Sequence, residues 1–215
     1  MIDLHTHTIL SDGDLIASEL VRRAEVAGCN VIAITDHVDH SNIDVVLPGI
    51  VKASKILNKF WDIFVVPGVE ITHVPLEVFS ELTKYARVNG AKIVVGHGES
   101  SVEPVIPGTN AAAINAGVDI LAHPGFISEK DARLAEEKGV YLEITSRNGH
   151  SETNKHVFAM ASKAGAKLVL NTDTHSPEDI LTPEKRDEIL GFLTDSDEIK
   201  SGIIRNSEEI VDKLR

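Results

Sequence analysis

His5 and His7 stand two positions apart at the end of the opening segment, residues 1–8, whose apolar alternation predicts a strand. Side chains at i and i+2 of a strand share a face, so two imidazoles come side by side, and two neutral imidazoles so placed can hold one transition metal. A second such pair, Asp173 and His175, follows the apolar run at residues 166–171. Between these pairs, His37, Glu70, His97 and His123 each come just beyond an apolar run, at residues 31–35, 63–66, 92–95 and 118–122. One histidine in such a place is an ordinary loop residue; its recurrence at several independent strand ends is a pattern. With Asp12 from the first loop, six histidines and three carboxylates are available. A single zinc or manganese ion takes three or four protein ligands. Two to three divalent ions (zinc, manganese or iron) are therefore expected, with at least one shared carboxylate, and Glu70 is the candidate bridge.

Adjacent cations suit phosphate ester cleavage. They lower the pKa of a shared water, so that a bridging hydroxide serves as nucleophile near neutral pH, and they neutralise phosphate oxygens as charge develops. No nucleophilic side chain is then required, and the chain has neither a Gly-x-Ser-x-Gly elbow nor a plausible Cys/His pair. Arg147 is the one arginine in a loop after an expected strand, where a guanidinium could grip non-bridging phosphate oxygens in bidentate fashion. His150, three residues on, is a candidate to contact substrate or protonate a leaving group. Asp36 would point away from His37 on an ideal strand and is read as a hydrogen-bonding residue. Asn171 is read as pointing inward to touch substrate, Glu99 as a neighbour of His97, and His156 as a helix-surface residue.

The elements that must position these groups alternate. Helices are expected at residues 15–27, 49–60, 78–86, 128–138 and 152–164, with a short alanine-rich one near 110–116. Ser176-Pro177 caps another, and the chain closes in a helix over 207–215. Of the 49–60 helix, Ile50, Val51, Ala53, Ile56 and Leu57 should face inward; of the 78–86 helix, Tyr85 among others. Seven βα units imply a parallel sheet with right-handed crossovers. No phosphate-binding glycine fingerprint follows the first strand, which favours an α/β, TIM-like (β/α)7 barrel over a doubly wound sheet, with its site at the C-terminal ends of the strands.

With 215 residues and no linker, the chain reads as a single domain over 1–215. One cysteine excludes an internal disulfide framework and a thiolate zinc site. No signal peptide or membrane-length apolar run is present, so a cytoplasmic protein is expected. A net charge of -12 and 4% aromatic residues argue against long nucleic acid as a partner and for a small phosphorylated substrate. No sequence feature fixes an oligomeric state.

Taken together, the motifs Asp3-Leu4-His5-Thr6-His7, Ser11-Asp12-Gly13, Ile34-Thr35-Asp36-His37, Pro67-Gly68-Val69-Glu70, Gly96-His97, Ala122-His123-Pro124 and Asn171-Thr172-Asp173-Thr174-His175 resemble the PHP (polymerase and histidinol phosphatase) family. The resemblance runs from residue 3 to about 177. It implies a distorted seven-stranded barrel with a trinuclear site, in which one metal takes His5, His7, Glu70 and Asp173. A second shares Glu70 and adds His97 and His123, and a third takes Asp12, His37 and His175. Some relatives carry His where this chain has Asp12, which would suit a harder ion. The implied activity is metal-dependent phosphomonoester hydrolysis, with histidinol phosphate the foremost single substrate; Glu70 and Asp173, together with Arg147 and His150 on the strength of their own chemistry, are the expected reacting-site residues. The alternatives are an exonuclease or nucleotide phosphatase of the same family, a non-catalytic metal-binding module, and a metal-dependent amidohydrolase. Amidohydrolase barrels share the opening His-x-His but carry a bridging lysine, and Lys92 lies at the wrong end of its strand.

Overall fold

Val31-Ile32-Ala33-Ile34 is buried at every position, as a strand covered on both faces must be. Such runs recur between amphipathic segments, and a computed structural model, which describes residues 1–214, shows how they assemble. The strands are β1 (Ile2–Asp3), β2 (Val31–Ile34), β3 (His37–Val38), β4 (Phe64–Ile71), β5 (Ile93–His97), β6 (Ile120–Ala122), β7 (Tyr141–Thr145) and β8 (Leu168–Asn171). The α-helices are α1 (Ala17–Val26), α2 (Ile43–Phe60), α3 (Phe79–Val88), α4 (Thr109–Ala116), α5 (Glu129–Lys138), α6 (Asn154–Ala164), α7 (Pro183–Leu193) and α8 (Asp197–Leu214).

The sheet runs β1-β2-β4-β5-β6-β7-β8, every pair parallel, and β3 pairs with β4 off this path. The ring is drawn together just past β1 and β8, where Asp173 N–H donates to His5 O at 3.0 Å and His7 N–H to Thr174 O at 2.8 Å. This is the expected TIM-like α/β barrel, nearly closed, with seven strands on its path. Its interior is filled by Leu4, Val66, Ile93, Val95, Ile120 and Val169, among others, and Ile210 and Val211 of α8 join them. A second apolar layer lies between strands and helices.

Five elements depart from the sequence reading. β1 ends at Asp3, because side chains replace ladder bonds beyond it: Leu4 N–H donates to Asn171 Oδ1, and Asp3 accepts from the Thr172 hydroxyl. α1 begins at Ala17, two residues after the expected start, with Ile16 at its N-cap position and no side-chain cap. α2 begins at Ile43 with Pro48 inside it, burying Ile43, Val46, Leu47, Ile50, Ser54 and Leu57; Ile56 is instead 53% exposed. Tyr85 is likewise exposed, its hydroxyl donating to Asp44. α8 starts ten residues before the expected helix, and Arg215 lies outside the described residues. Its buried Ile203, Ser207, Ile210 and Val211 form one stripe, hidden in the sequence by the charges around it. Among the described residues, no helix is long and apolar enough to cross a membrane.

β4 matters most for the site, since it continues through Pro67-Gly68 to deliver Glu70. A Cβ at Gly68 would lie 2.4 Å from Ile93 Cγ2 and 2.7 Å from Ile93 O. Gly68→Ala should therefore force β4 and β5 apart and destabilise the fold by about 1–3 kcal/mol. A lowered urea midpoint at unchanged slope would register this.

Candidate metal centre

All nine strand-end residues meet at the C-terminal mouth of the barrel, around Glu70. β3 places His37 opposite Glu70 in register, with Nδ1 2.7 Å from Glu70 Oε2. From the other side come His5 Nε2 at 3.4 Å, His7 Nε2 at 3.6 Å and, on Oε1, His123 Nε2 at 3.6 Å. Asp173 Oδ1 is 3.1 Å from His7 Nε2, and Asp12 Oδ1 is 3.1 Å from His175 Nε2 and 3.6 Å from His37 Nε2. Four overlapping sets among these nine residues have ligand atoms within 4.8 Å of one another: His5, His7 and Glu70; His5, His123 and Asp173; Glu70, His97 and His123; and His7, Asp12, His37 and His175.

The protein alone leaves this cluster unsatisfied. Both Glu70 oxygens, Asp173 Oδ1, His7 Nδ1 and His123 Nδ1 are buried without a hydrogen-bond partner, although such groups are normally paired. His5 Nε2 and His7 Nε2 face each other at 3.0 Å, so at most one of them can carry a proton between them. Burial first, and then His37, pushes His7 well below the usual imidazole range; burial and then His97 do the same to His123. Both are thereby held neutral, the form that binds a metal. His5 is raised against its burial by Glu143, Glu70 and Asp173, and His37 is raised to about 9 against its burial by Glu70 and Asp12. Glu70 is held well below the carboxylate range by His5 and His37 in spite of burial, while burial pushes Asp173 up to about 6. His123 and Asp173 also hold φ of 26° and 55°, a left-handed backbone that costs roughly 1–3 kcal/mol each and gathers at functional sites. Buried carboxylate oxygens converging with imidazoles, two of which are held neutral, are a donor set that fits zinc, manganese or iron.

Arg147 and His150 reach the same cavity, whose volume is about 350 Å³. Arg147 Nη1 donates to Asp173 O at 3.2 Å, and its Nε lies 3.5 Å from Asp173 Oδ2. His150 is buried, its ring 4.4 Å from that of His123 and its Nδ1 2.8 Å from Ser100 Oγ. Asp36 accepts from the backbone and hydroxyls of Thr8 and Ser11, holding the loop that carries Asp12. Asn171 does not face substrate: it is fully buried and donates to Glu143 Oε1 at 2.9 Å. Glu99 is taken up by the N–H groups of Gly108 and Asn110. His156 turns away, its Nε2 bonded to Ile127 O, and His40 is exposed.

Two carboxylates escaped the sequence reading. Glu143, fully buried, accepts from His5 Nδ1–H at 2.8 Å and from His123 N–H at 3.1 Å. Its signal was a lone acid in the middle of an apolar strand. Glu103 lies 3.0 Å from His97 Nε2, on a loop marked in the sequence only by Pro and Gly.

No family model matches the chain. A protein of Methanocaldococcus jannaschii, the uncharacterised MJ1295, is 44% identical over 215 residues, covering 99% of both chains. A probable phosphatase of Clostridium acetobutylicum is 27% identical over 244 residues, covering 100% of this chain and 94% of its own. Among solved structures, the histidinol phosphate phosphatase of Lactococcus lactis, complexed with zinc, L-histidinol and phosphate, superposes with a TM-score of 0.59 at 16% identity, covering 99% of this chain and 93% of that one. A chain of archaeal ribonuclease P with mature tRNA gives 0.74 at 18% identity, covering 100% and 91%. At these identities the two structures speak to the fold alone.

Proposed function

We propose, since the chain belongs to the PHP family of metal-dependent phosphoesterases, that it is a phosphatase for a small phosphomonoester, histidinol phosphate foremost. The observation that carries this reading is the Glu70 carboxylate, fully buried and ringed by four imidazoles at the mouth of the barrel. His5, His7, Glu70 and Asp173 would hold one ion, Glu70, His97 and His123 a second, and Asp12, His37 and His175 a third. Such ions supply charge to neutralise phosphate oxygens and acidify water. The chain's own groups do the rest. Arg147, half-buried beside Asp173, orients the phosphate by donating to its non-bridging oxygens. His150, on the wall beside His123, stands where its Nε2 can pass a proton to the leaving oxygen. The cavity fits a small ester and not a duplex, and the net charge of -12 offers polynucleotide no basic track.

Phosphate release by manganese-loaded protein would be measured on histidinol phosphate, nucleoside monophosphates, sugar phosphates and a short oligonucleotide, with Asp173→Asn as the blank. Release from a small monoester, absent in the blank, is expected. Preference for a nucleotide would replace the named substrate; silence across the panel with metal bound would overturn the phosphatase reading.

Metal uptake should also expel protons. In the metal-free protein His37 stays protonated up to about 9 and Asp173 up to about 6. A ligand must give up its proton to bind, so affinity should climb as pH rises from 6 towards 9, with the Asp173 share confined to pH below about 6. Calorimetry of zinc binding at pH 7.5 in buffers of differing ionisation heat should show net proton release; a buffer-independent heat would contradict it.

A further inference from the structure

The rim of the cavity carries ligand-type side chains outside the nine residues at its centre. His73 follows β4, and Glu103 sits on the loop between β5 and α4. Glu103 Oε2 lies 3.0 Å from His73 Nε2 and 3.0 Å from His97 Nε2, while Oε1 lies 3.3 Å from His150 Nε2. The ligand atoms of His73, His97 and Glu103 all fall within 4.8 Å of one another. Tetrahedral zinc with bonds near 2.1 Å sets its ligand atoms about 3.4 Å apart, so the group needs little movement to close on an ion. Both rim side chains meet solvent, His73 at 42% exposure and Glu103 at 32%, which leaves an ion a path from bulk water.

We propose that His73, His97 and Glu103 form a further divalent-metal site at the cavity mouth, taking a borderline ion such as zinc. His97 Nδ1 is 3.1 Å from Gly98 O and donates to it, so Nε2 carries the one free lone pair and serves one ion at a time. The mouth therefore competes with the inner position formed by Glu70 and His123 for the same imidazole. This competition rests on the inner reading; the mouth site itself does not. An ion there is held by fewer dedicated ligands and is the first surrendered to a chelator.

Zinc titration of the full chain against a chromogenic chelator, paired with anomalous diffraction from zinc-soaked crystals, tests this. Near zinc saturation, wild type should show a weak class beyond the tight one, filled as His97 turns from the inner position to the mouth, with a peak in bonding contact with His73 Nε2 and Glu103. His73→Ala and Glu103→Gln should each weaken that class by at least about tenfold. His73→Ala is decisive, because a Glu103 that merely accepts a hydrogen bond from His97 would make only Glu103→Gln matter. Absence of the weak class, of the mouth peak, or of any response to His73→Ala overturns the site. Loss of the tight class with the mouth peak retained would instead overturn the inner assignment. Circular dichroism confirms that each variant is folded.

Discussion

Glu70→Gln should reduce kcat by on the order of 10³-fold and remove most bound metal. The substitution keeps shape and volume and deletes one charge. That charge sits where His5, His37 and His123 converge from three strands, 2.7 to 3.6 Å from its oxygens. A neutral amide cannot bridge two cations, so the two positions that share Glu70 fail together, and several kcal/mol of transition-state stabilisation go with them. The metal-free fold should be weakened, because Glu70 is held ionised by His5 and His37, and an amide in its place leaves those two buried imidazoles without the charge they face. The melting temperature of metal-free Glu70→Gln is thus expected to fall modestly, and circular dichroism on the folded variant separates lost chemistry from lost folding. Metal content by mass spectrometry and phosphate release are the readouts, with His156→Ala as the control that changes neither. Turnover within tenfold of wild type would remove Glu70 from the centre of the mechanism.

The nine residues that the barrel gathers could be read from sequence because a parallel barrel brings every strand's C-terminal end to one place, and histidine after an apolar run is conspicuous. What supports them was harder to see. Pro67-Gly68 looks like a turn, yet Gly68 is there because β5 leaves no room for a Cβ, and the strand runs on to Glu70. The apolar alternation of the opening residues promised a longer β1, but Asp3 and Asn171 take over its hydrogen bonds from afar in sequence. The stripe of α8 was masked by its own charges, which face solvent while Ile210 and Val211 join the barrel interior. Glu103 had no signature because its partners come from three different segments. These failures share a cause: each role is set by a tertiary neighbour, and local pattern carries no record of it.

Glu143→Gln is the second large effect expected, and it acts one contact away from any ion. Glu143 Oε1 accepts both His5 Nδ1–H and Asn171 Nδ2–H, at 2.8 and 2.9 Å, while Oε2 accepts His123 N–H at 3.1 Å. Three donors thus converge on a carboxylate, the one side chain of this size with acceptors on both oxygens. Its bond to His5 Nδ1 leaves the lone pair of Nε2 aimed at Glu70 and Asp173, and its bond to His123 helps hold a residue strained at φ 26°. Glutamine can keep its oxygen towards His5 and Asn171, but its NH2 then meets His123 N–H, donor against donor. If it turns round, His5 loses its acceptor and Nε2 its fixed direction. Either arrangement leaves a buried donor unpaired, at a cost of about 1–3 kcal/mol in stability. Metal affinity should fall by roughly 10–100-fold, the range typical of such supporting carboxylates. Because the ligands themselves remain, saturating manganese should restore most of the lost turnover in Glu143→Gln but none of it in Glu70→Gln. Unchanged metal affinity in Glu143→Gln would mean that the orientation of His5 is set by the chain around it and not by this carboxylate.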